Sequence, residues 1–378
     1  MLTEQDELGI YHVLQLHGRI RHIKLSLPPP ILQNVLVLMD ENFPILEHLA
    51  LSRSFSVDHP PFTLPKGFLA PNLLHLSLSY DIRLSKRLRV LTSTVSLVTL
   101  TLRGIRTSSY FRPRLLVARL RSLLLLEELT ISFSTLISHV STERELVGES
   151  EAPITLPSLK NLWFEGVGAY LESLVAQIRV PLLERLWIGL HNDLAFVALP
   201  HLSYLINTTE AFKLPTAMVK FTCNGVGISF HHHRLPLGGE PFLLTMRCEL
   251  VDRQIGCAAQ ICHALIPTLS GVQTLSLAHM IIDTNEIPIA MQIRPNGVID
   301  ATTWHDLLRM FIGVKQLHIY HEIMEEVSHA LQVDEVASDL TFLPNLRSIY
   351  AIRNLFTSFI RIRQVMYRPV QFQVSEWP

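Results

Sequence analysis

The sequence predicts an α/β repeat fold, in which short parallel strands form one face and helices form the other. The first observation is the stretch from Pro71 to Ser79, PNLLHLSLS, in which Leu73, Leu76 and Leu78 follow the pattern LxxLxL. The second is that the same pattern recurs along most of the chain. The first apolar residue of each copy, the first anchor, is one of the following: Ile20, Leu46, Leu73, Leu97, Leu126, Leu159, Leu183, Val272, Val314 and Leu346.

The spacing of the copies is the third observation. First anchors up to Leu183 are 24 to 33 residues apart, in or near the roughly 20 to 29 residues of leucine-rich repeats. Each copy ends in alternation, so the second and third anchors point to one face of a strand. Three buried apolar side chains, each worth about 1.5 to 3 kcal/mol, cannot close a core within one copy, so the copies must stack. We therefore predict a single irregular leucine-rich-repeat solenoid, a horseshoe over residues 1–378, with parallel strands on its concave face and helices on its convex face.

Length, composition and charge agree with a one-dimensional fold. The 378 residues exceed the roughly 250 to 300 at which a single compact core stops growing, and no Gly/Ser linker or charge run divides them. Hydrophobic residues make up 48% of the chain and charged residues 17%, with a net charge of −1. A chain without excess positive charge lacks the electrostatic attraction that general nucleic-acid binding requires. We predict no nucleic-acid partner.

The cysteines and the absence of targeting signals predict a cytoplasmic or nuclear protein. Four cysteines in a chain of this size indicate reduced intracellular thiols and not a disulfide framework. Glu4, Asp6 and Glu7 follow Met1, so no signal peptide is expected. The longest uncharged stretch, residues 254–282, contains proline, glycine and histidine and reads as helix, turn and strand. We therefore predict no membrane partner.

Apolar periodicity predicts alternating helices and strands in the first half of the chain. The expected helices are Leu8 to Leu16, Ile31 to Met39, Arg114 to Leu125 and Ala169 to Ile178. The expected strands are Ile20 to Leu27, Phe43 to Ser52, Pro71 to Ser79, Leu126 to Phe133, Leu159 to Glu165 and Leu183 to Ile188. A polar, Glu-rich segment from Ser138 to Ala152 is expected to be a loop.

An interval of 89 residues between Leu183 and Val272 breaks the rhythm. Asn224 and Gly225 stand between two alternating runs, which is a strong hairpin signal. We predict that residues 217–250 form an irregular, hairpin-containing segment and that residues 353–378 form a C-terminal cap. The remaining strands are Phe242 to Leu250, Val272 to Leu277, Val314 to Ile319 and Leu346 to Ala351, and the remaining helices are Ile255 to Leu269, Trp304 to Phe311, Glu322 to Leu331 and Leu355 to Met366.

Five stretches of the chain resemble the leucine-rich region of F-box proteins of mushroom-forming fungi. They are HVLQLHGRIRHIKLSL (12–27), LQNVLVLMDENFPILEHLAL (32–51), LPSLKNLWFEG (156–166), TWHDLLRMFIGVKQLHI (303–319) and FTSFIRIRQVMYRPV (356–370). The resemblance implies the substrate-recognition part of a cullin-RING ubiquitin ligase receptor. Nothing before Leu8 matches the F-box itself, so a ligase adaptor is an expected partner only if an F-box is supplied upstream. The alternative is a stand-alone interaction scaffold with no ligase link.

Side chains two, four and six residues after each first anchor are predicted to point away from the core. Trp163 and Trp187 occupy equivalent positions in consecutive copies, so their indoles are expected side by side, about 5 Å apart. Exposed indoles on a concave sheet are typical anchors for a protein partner. The predicted partner-binding residues are Trp163, Trp187, Asn161, Arg185, Glu165 and Arg103, with His318, Tyr320 and Tyr350 as a second cluster. The opposing interpretation is that the hairpin or the Glu-rich loop covers the indoles and makes them core.

The outward row also contains His22, His48 and His75, which form either a group that titrates near pH 6 or plain solvated surface. His231 to His233 together with Cys223 suggest zinc ligands, but no second closely spaced ligand pair accompanies them. No phosphate loop, nucleophile elbow or His-x-x-x-His helix occurs. We predict no catalytic residues, no metal site, no cofactor and no enzymatic activity.

Overall fold

The computed structural model divides the chain into two compact units, Met1–Glu184 (unit 1) and Arg185–Pro378 (unit 2). Each unit is a mixed α/β structure with a sheet that is mainly or wholly parallel. The structure describes residues 4–53, 62–80, 91, 94–106, 110–134, 152–191, 199–232, 240–248, 251–280, 301–320, 323–333, 343–351, 356–365 and 370–374. Residues 138–151 of the predicted Glu-rich loop therefore lie outside the described residues, and the single continuous solenoid stays a prediction.

Unit 1 contains a wholly parallel sheet in the strand order β1-β2-β3-β4-β5-β7, and a separate parallel pair, β6 and β8. The strands are β1 (His22–Leu27), β2 (His48–Arg53), β3 (His75–Ser79), β4 (Thr99–Ile105), β5 (Glu128–Phe133), β6 (Ile154–Thr155), β7 (Asn161–Gly166) and β8 (Ile178–Arg179). The helices are α1 (Glu4–Leu14), α2 (Pro29–Leu38), α3 (Pro113–Leu120) and α4 (Gly168–Val175). Every strand predicted in this unit is present within a few residues.

The core of unit 1 is a ladder of leucines at the second anchor position. Leu49, Leu76, Leu100, Leu129 and Leu162 are paired in register from β2 to β7, and each is at most 2% exposed. The third anchors form a second buried row beside them. Because a shift of one residue would turn both rows to the opposite face, the leucine pattern fixes the register of the sheet.

A turn before the first anchor completes most copies of the repeat. The N–H of the anchor bonds to the carbonyl three residues earlier, as in Leu46 to Phe43 (3.3 Å) and Leu126 to Leu123 (3.2 Å). Phe43 and Leu123 are fully buried. The repeat thus has a fourth apolar position, which LxxLxL does not include.

Two helix boundaries in unit 1 differ from the prediction. Helix α2 begins at Pro29 and not at Ile31. Proline is well suited to the first helical position, because the backbone N–H that it lacks would have no hydrogen-bond acceptor within the helix. Helix α3 ends at Leu120 and not at Leu125, because the residues that follow form the buried turn at Leu123. Periodicity alone does not show where, in the leucine-rich run of residues 115–126, the helix ends and the buried turn begins.

Unit 2 has the strand order β9-β12-β11-β10-β13-β14-β15-β16. The strands are β9 (Arg185–Leu190), β10 (Thr216–Thr222), β11 (Gly225–His231), β12 (Phe242–Arg247), β13 (Thr274–Met280), β14 (Gln316–Ile319), β15 (Ser348–Ala351) and β16 (Gln371–Val374). The helices are α5 (Pro200–Thr208), α6 (Val251–Ala264), α7 (Ile266–Leu269), α8 (Ala301–Leu308), α9 (Met324–Val333) and α10 (Thr357–Val365). None of the described helices is both long and apolar enough to cross a membrane.

The long interval in unit 2 contains a copy of the repeat followed by an inserted hairpin. Leu214, Ala217 and Val219 are buried like the anchors elsewhere, and β10 pairs in parallel with β13 as a repeat strand does. Strands β11 and β12 then run back and forth between β10 and β9. This copy does not match the LxxLxL pattern, because Ala217 stands at the second anchor position in place of leucine.

The predicted hairpin is confirmed, with its turn one residue earlier than expected. Thr222 pairs with Gly225, so the turn residues are Cys223 and Asn224. A Cβ on Gly225 would collide with the carbonyl oxygen of Met246. Glycine is therefore needed here for the close approach of β12 and not for a left-handed turn.

The predicted helix from Ile255 to Leu269 is two helices. Helix α6 ends at Ala264, and α7 begins at Ile266 with Pro267 in its first turn. The break is expected in physical terms because a proline inside a helix removes a hydrogen bond and clashes with the preceding turn. In the predicted cap, α10 is present, and β16 adds a strand that alternation alone had not singled out.

Candidate functional site

The candidate site lies on the side of the unit 1 sheet opposite the leucine ladder. We call this the polar face, defined by the side chains two, four and six residues after the first anchors of β1 to β5 and β7. Its residues are half-buried or exposed, and they alternate with side chains that are buried or, at Leu25, half-buried. Alternation in the sequence therefore places the predicted site residues of unit 1 on an accessible surface.

Trp163 stands at the centre of three cross-strand pairs between β5 and β7. It lies opposite Thr130 and is 38% exposed, so it is not a core residue. On one side of this pair, Asn161 donates a hydrogen bond to a carboxylate oxygen of Glu128 (3.1 Å). On the other side, the Ser132 hydroxyl donates to Glu165 (2.8 Å).

Arg103 completes this surface from β4. Its guanidinium carbon lies 5.3 Å from the centroid of the Trp163 indole, within the range of a cation–π contact. The register between β4 and β5 shifts between Leu102 and Ile105, and Gly104 within this bulge has φ +66°. Bulges bend a strand and redirect its side chains. The bulge therefore accounts for the position of Arg103 over a ring two strands away.

The predicted partners Trp187 and Arg185 belong to unit 2, on strand β9. Arg185 is exposed and Trp187 is half-buried, with Leu243 of β12 as its cross-strand neighbour. Trp163 and Trp187 lie in different units, so the side-by-side arrangement of the two indoles stays a prediction.

The second predicted cluster lies on β14, β15 and the residue after β14. The His318 ring stacks on Tyr350 with 4.3 Å between centroids and 6° between planes. His318 is only 1% exposed, whereas Tyr350 and Tyr320 are half-buried, and burial raises the pKa of Tyr320. Tyr350 and Tyr320 are thus the accessible members of the cluster, and His318 stacks on Tyr350 from the neighbouring strand.

The outward row of β1 to β3 is a stack of imidazoles. His22 and His48 are 4.5 Å apart between centroids, and His48 and His75 are 4.1 Å apart, with interplanar angles of 24° and 15°. His75 Nδ1 is hydrogen-bonded to the Thr99 hydroxyl (2.8 Å). Desolvation and, next, the positive charge of His75 and His22 lower the pKa of His48, against a smaller opposing effect of Glu47.

Unit 2 holds a buried Ser, His and Glu group that resembles a catalytic triad only in composition. Ser229 Oγ lies 2.8 Å from His231 Nε2, and Glu240 approaches the same nitrogen at 3.8 Å. A triad requires the acid on the other ring nitrogen, and Ser229 is fully buried. Glu240 accepts an ion-paired hydrogen bond from Lys220 (2.7 Å), so the group is a structural polar network of the inserted hairpin.

Burial is the largest influence on the pKa of His231 and on that of the Cys262 thiol. Desolvation lowers the pKa of His231, Glu240 raises it and Lys220 lowers it again. His231 is buried and His232 exposed, as alternation predicts, and His233 lies outside the described residues. Burial raises the pKa of the Cys262 thiol far above its ordinary value.

Two elements of these arrangements were missed by sequence reasoning. Glu47 lies near His22 and His48, but it is adjacent to an anchor and not in an outward row. Ser132 holds Glu165, and a serine in an outward row carries no distinctive signal. The bulge that places Arg103 had one available signal, Gly104 at the end of a strand pattern.

No protein-family model matches this sequence, and no curated protein matches it. Among solved structures, the chain is similar to the leucine-rich repeat-containing protein LegL7 from Legionella pneumophila, with 12% identity and a TM-score of 0.32, over 93% of this chain and 99% of that one.

Proposed function

We propose that this chain is a protein-binding repeat scaffold, and that the polar face of unit 1 around Trp163 is its partner-binding surface. The observation that carries the proposal is an exposed indole on an ordered sheet, covered on one side by Arg103 and bordered by two hydrogen-bonded polar pairs. Tryptophan and arginine are the residues most enriched among those that dominate binding energy at protein interfaces.

The surroundings of Trp163 suit a contact that excludes water. The Glu128–Asn161 and Ser132–Glu165 pairs already satisfy part of each other's hydrogen bonding. A partner side chain that packs on the indole would displace water from an apolar surface with a polar rim, the usual anatomy of an interface. Because the strands fix the backbone, little conformational freedom would be lost on binding.

The test is the substitution Trp163→Ala in the full chain. Partners are captured by affinity purification, and a purified partner is then titrated directly against each variant. We expect Trp163→Ala to weaken binding on the order of 30-fold, the size of an interface hot spot. Tyr204→Ala is the matched control, because Tyr204 is an aromatic residue 71% exposed on helix α5. Equal affinity of wild type and Trp163→Ala would refute the proposal.

The remaining predicted contacts extend this proposal to unit 2. Trp187 with Arg185, and Tyr350 with Tyr320, are proposed as further partner contacts because each pair offers an accessible aromatic side chain. Trp187→Ala and Tyr350→Ala, measured separately in the same titration, test whether the partner reaches these strands.

The finer proposal is that the scaffold is the concave face of a leucine-rich-repeat solenoid that recruits substrates to a cullin-RING ubiquitin ligase, in the cytoplasm or nucleus. It rests on the resemblance to fungal F-box proteins. Co-purification of a ligase adaptor and cullin with the endogenous protein would support it. If only the Trp163-dependent partner is recovered, the stand-alone scaffold is the correct alternative.

A further inference from the structure

We propose that His22, Glu47 and His48 form a binding site for one divalent transition-metal ion such as Zn²⁺. The sequence predicted no metal ligand here, and the proposal rests on side-chain positions in unit 1. One ligand atom from each of the three residues lies within 4.8 Å of the other two. The proposal is independent of the partner surface at Trp163.

The backbone holds the three residues in place. His22 and His48 are paired in register on neighbouring parallel strands, and the N–H groups of Glu47 and His48 both bond to the carbonyl of Arg21 (2.9 and 3.1 Å). Zn²⁺ in tetrahedral coordination, with bonds of about 2.0 to 2.1 Å, requires ligand atoms about 3.4 Å apart. The rings of His22 and His48 are stacked, so their in-plane lone pairs run nearly parallel, and one ring has to turn for both to face one ion. We assign that turn to His22, which is exposed, whereas Glu47 and His48 are half-buried.

The neighbours of the site orient His75, which is not a ligand, and His75 in turn packs against the ligand His48. The hydrogen bond between His75 Nδ1 and Thr99 orients His75, and His75 in turn stacks on the outer side of His48. His48 is thereby held between two rings. Arg21 approaches Glu47 only at 3.9 Å and is itself largely exposed, so it competes weakly for the carboxylate.

The chemistry of the ligands indicates the class of metal. Two imidazoles and one carboxylate suit Zn²⁺, Cu²⁺, Ni²⁺ and related ions, whereas Mg²⁺ and Ca²⁺ prefer oxygen ligands alone. Three protein ligands leave a fourth zinc position for water or for a side chain of another molecule. Because the site lies on the polar face, that fourth position is open to solvent.

The experiment uses the full chain purified without a histidine tag and stripped with a chelator. Zn²⁺ is titrated into wild type, the double variant His22→Ala/His48→Ala, the isosteric variant Glu47→Gln and the control His12→Ala by isothermal titration calorimetry. His12 is an exposed histidine of helix α1, outside the stack. We expect about one Zn²⁺ to bind wild type and His12→Ala alike, and the affinity to fall at least about tenfold in the double variant. Glu47→Gln should show a smaller loss, since it removes one charged ligand.

A second measurement separates metal binding from folding. Without zinc, the double variant should melt at the temperature of wild type, because the replaced rings are accessible. With excess zinc, wild type should melt at a higher temperature and the double variant should not. Identical zinc affinity and identical melting shifts in wild type and the double variant would overturn the proposal. Loss of partner binding in Trp163→Ala leaves this result unaffected, so the two proposals fail separately.

Discussion

Gly104→Ala tests whether the bulge of β4 is required for the candidate site. Gly104 has φ +66°, and the register between β4 and β5 shifts around it. Tyr80, next to Gly104, also has a positive φ of 65°, and its N–H donates to the carbonyl of Arg103 at 2.7 Å. The two left-handed residues therefore lie side by side, Tyr80 at the end of β3 and Gly104 within β4.

The expected cost of this substitution has two parts. An L-residue in the left-handed region costs about 1 to 2 kcal/mol. The added Cβ would lie 2.9 Å from Cδ1 and 3.2 Å from Cα of Tyr80, and overpacking of this kind costs about 1 to 3 kcal/mol. The backbone of Tyr80 cannot easily move away from the added Cβ, because its N–H is hydrogen-bonded to the carbonyl of Arg103. We expect the free energy of unfolding of unit 1 to fall by about 2 to 5 kcal/mol.

Urea unfolding followed by circular dichroism measures this loss, and hydrogen exchange in peptides from β4 and β5 assigns it to unit 1. The matched control is Gly9→Ala, because Gly9 lies within α1 with no atom within 4 Å of an added Cβ. Alanine should stabilise that helix by about 0.5 to 1 kcal/mol. If Gly104→Ala is as stable as wild type, the bulge does not need glycine and the account of Arg103 fails.

Three further results are expected. Leu100→Ala should destabilise unit 1 by about 2 to 5 kcal/mol, whereas Thr101→Ala on the polar face should cost less than about 0.5 kcal/mol; urea unfolding compares them. His231→Gln should lose less stability than wild type between about pH 7.5 and pH 5, because the lowered pKa of His231 lets the unfolded chain take up its proton first as the pH falls through 6.5. Calorimetric melting at each pH measures the difference. Iodoacetamide should label half-buried Cys223 faster than buried Cys262, whose pKa is raised, as peptide mass spectrometry will show.

The strands were predictable because their information is local and repeated. Leu76 and Leu78 are buried because they alternate on one strand, and their neighbours in register repeat the same alternation. A register shift would expose every leucine at once, so a short pattern fixes a long-range pairing. The boundaries of α3 and α6 were less predictable, because the leucine run near Leu123 suits a helix and a buried turn equally well.

The inserted hairpin shows where local information ends. Asn224 and Gly225 signal the turn between β10 and β11, but no residue of the inserted strands indicates that β12 pairs with β9 or that β11 lies between β12 and β10. The complete burial of β11 would instead suggest a strand covered on both sides, without saying by which neighbours. The strand order of an insertion depends on which strand edges of the sheet are free to pair. The sequence of the insertion alone does not identify those edges.

The candidate site was predictable in position but not in detail. Counting from the first anchor places Trp163, Asn161 and Glu165 on the polar face. The same count places Arg103 on this face as well, but it does not predict the approach of Arg103 to Trp163 across two strands, beside the bulge at Gly104. Side-chain direction after a bulge no longer follows the period of two.

The two proposed sites lie on one face of one unit, and the strand spacing keeps them apart. His48 is on β2 and Trp163 on β7, with β3, β4 and β5 between them. Four steps of about 4.8 Å separate the two by roughly 19 Å, beyond the 7 to 10 Å within which substitutions usually couple. A partner held at Trp163 would therefore reach the zinc position only if its own surface spans that distance. Zinc that tightens partner binding would identify a large partner that supplies the fourth ligand, whereas zinc without effect would identify a partner confined to β4, β5 and β7.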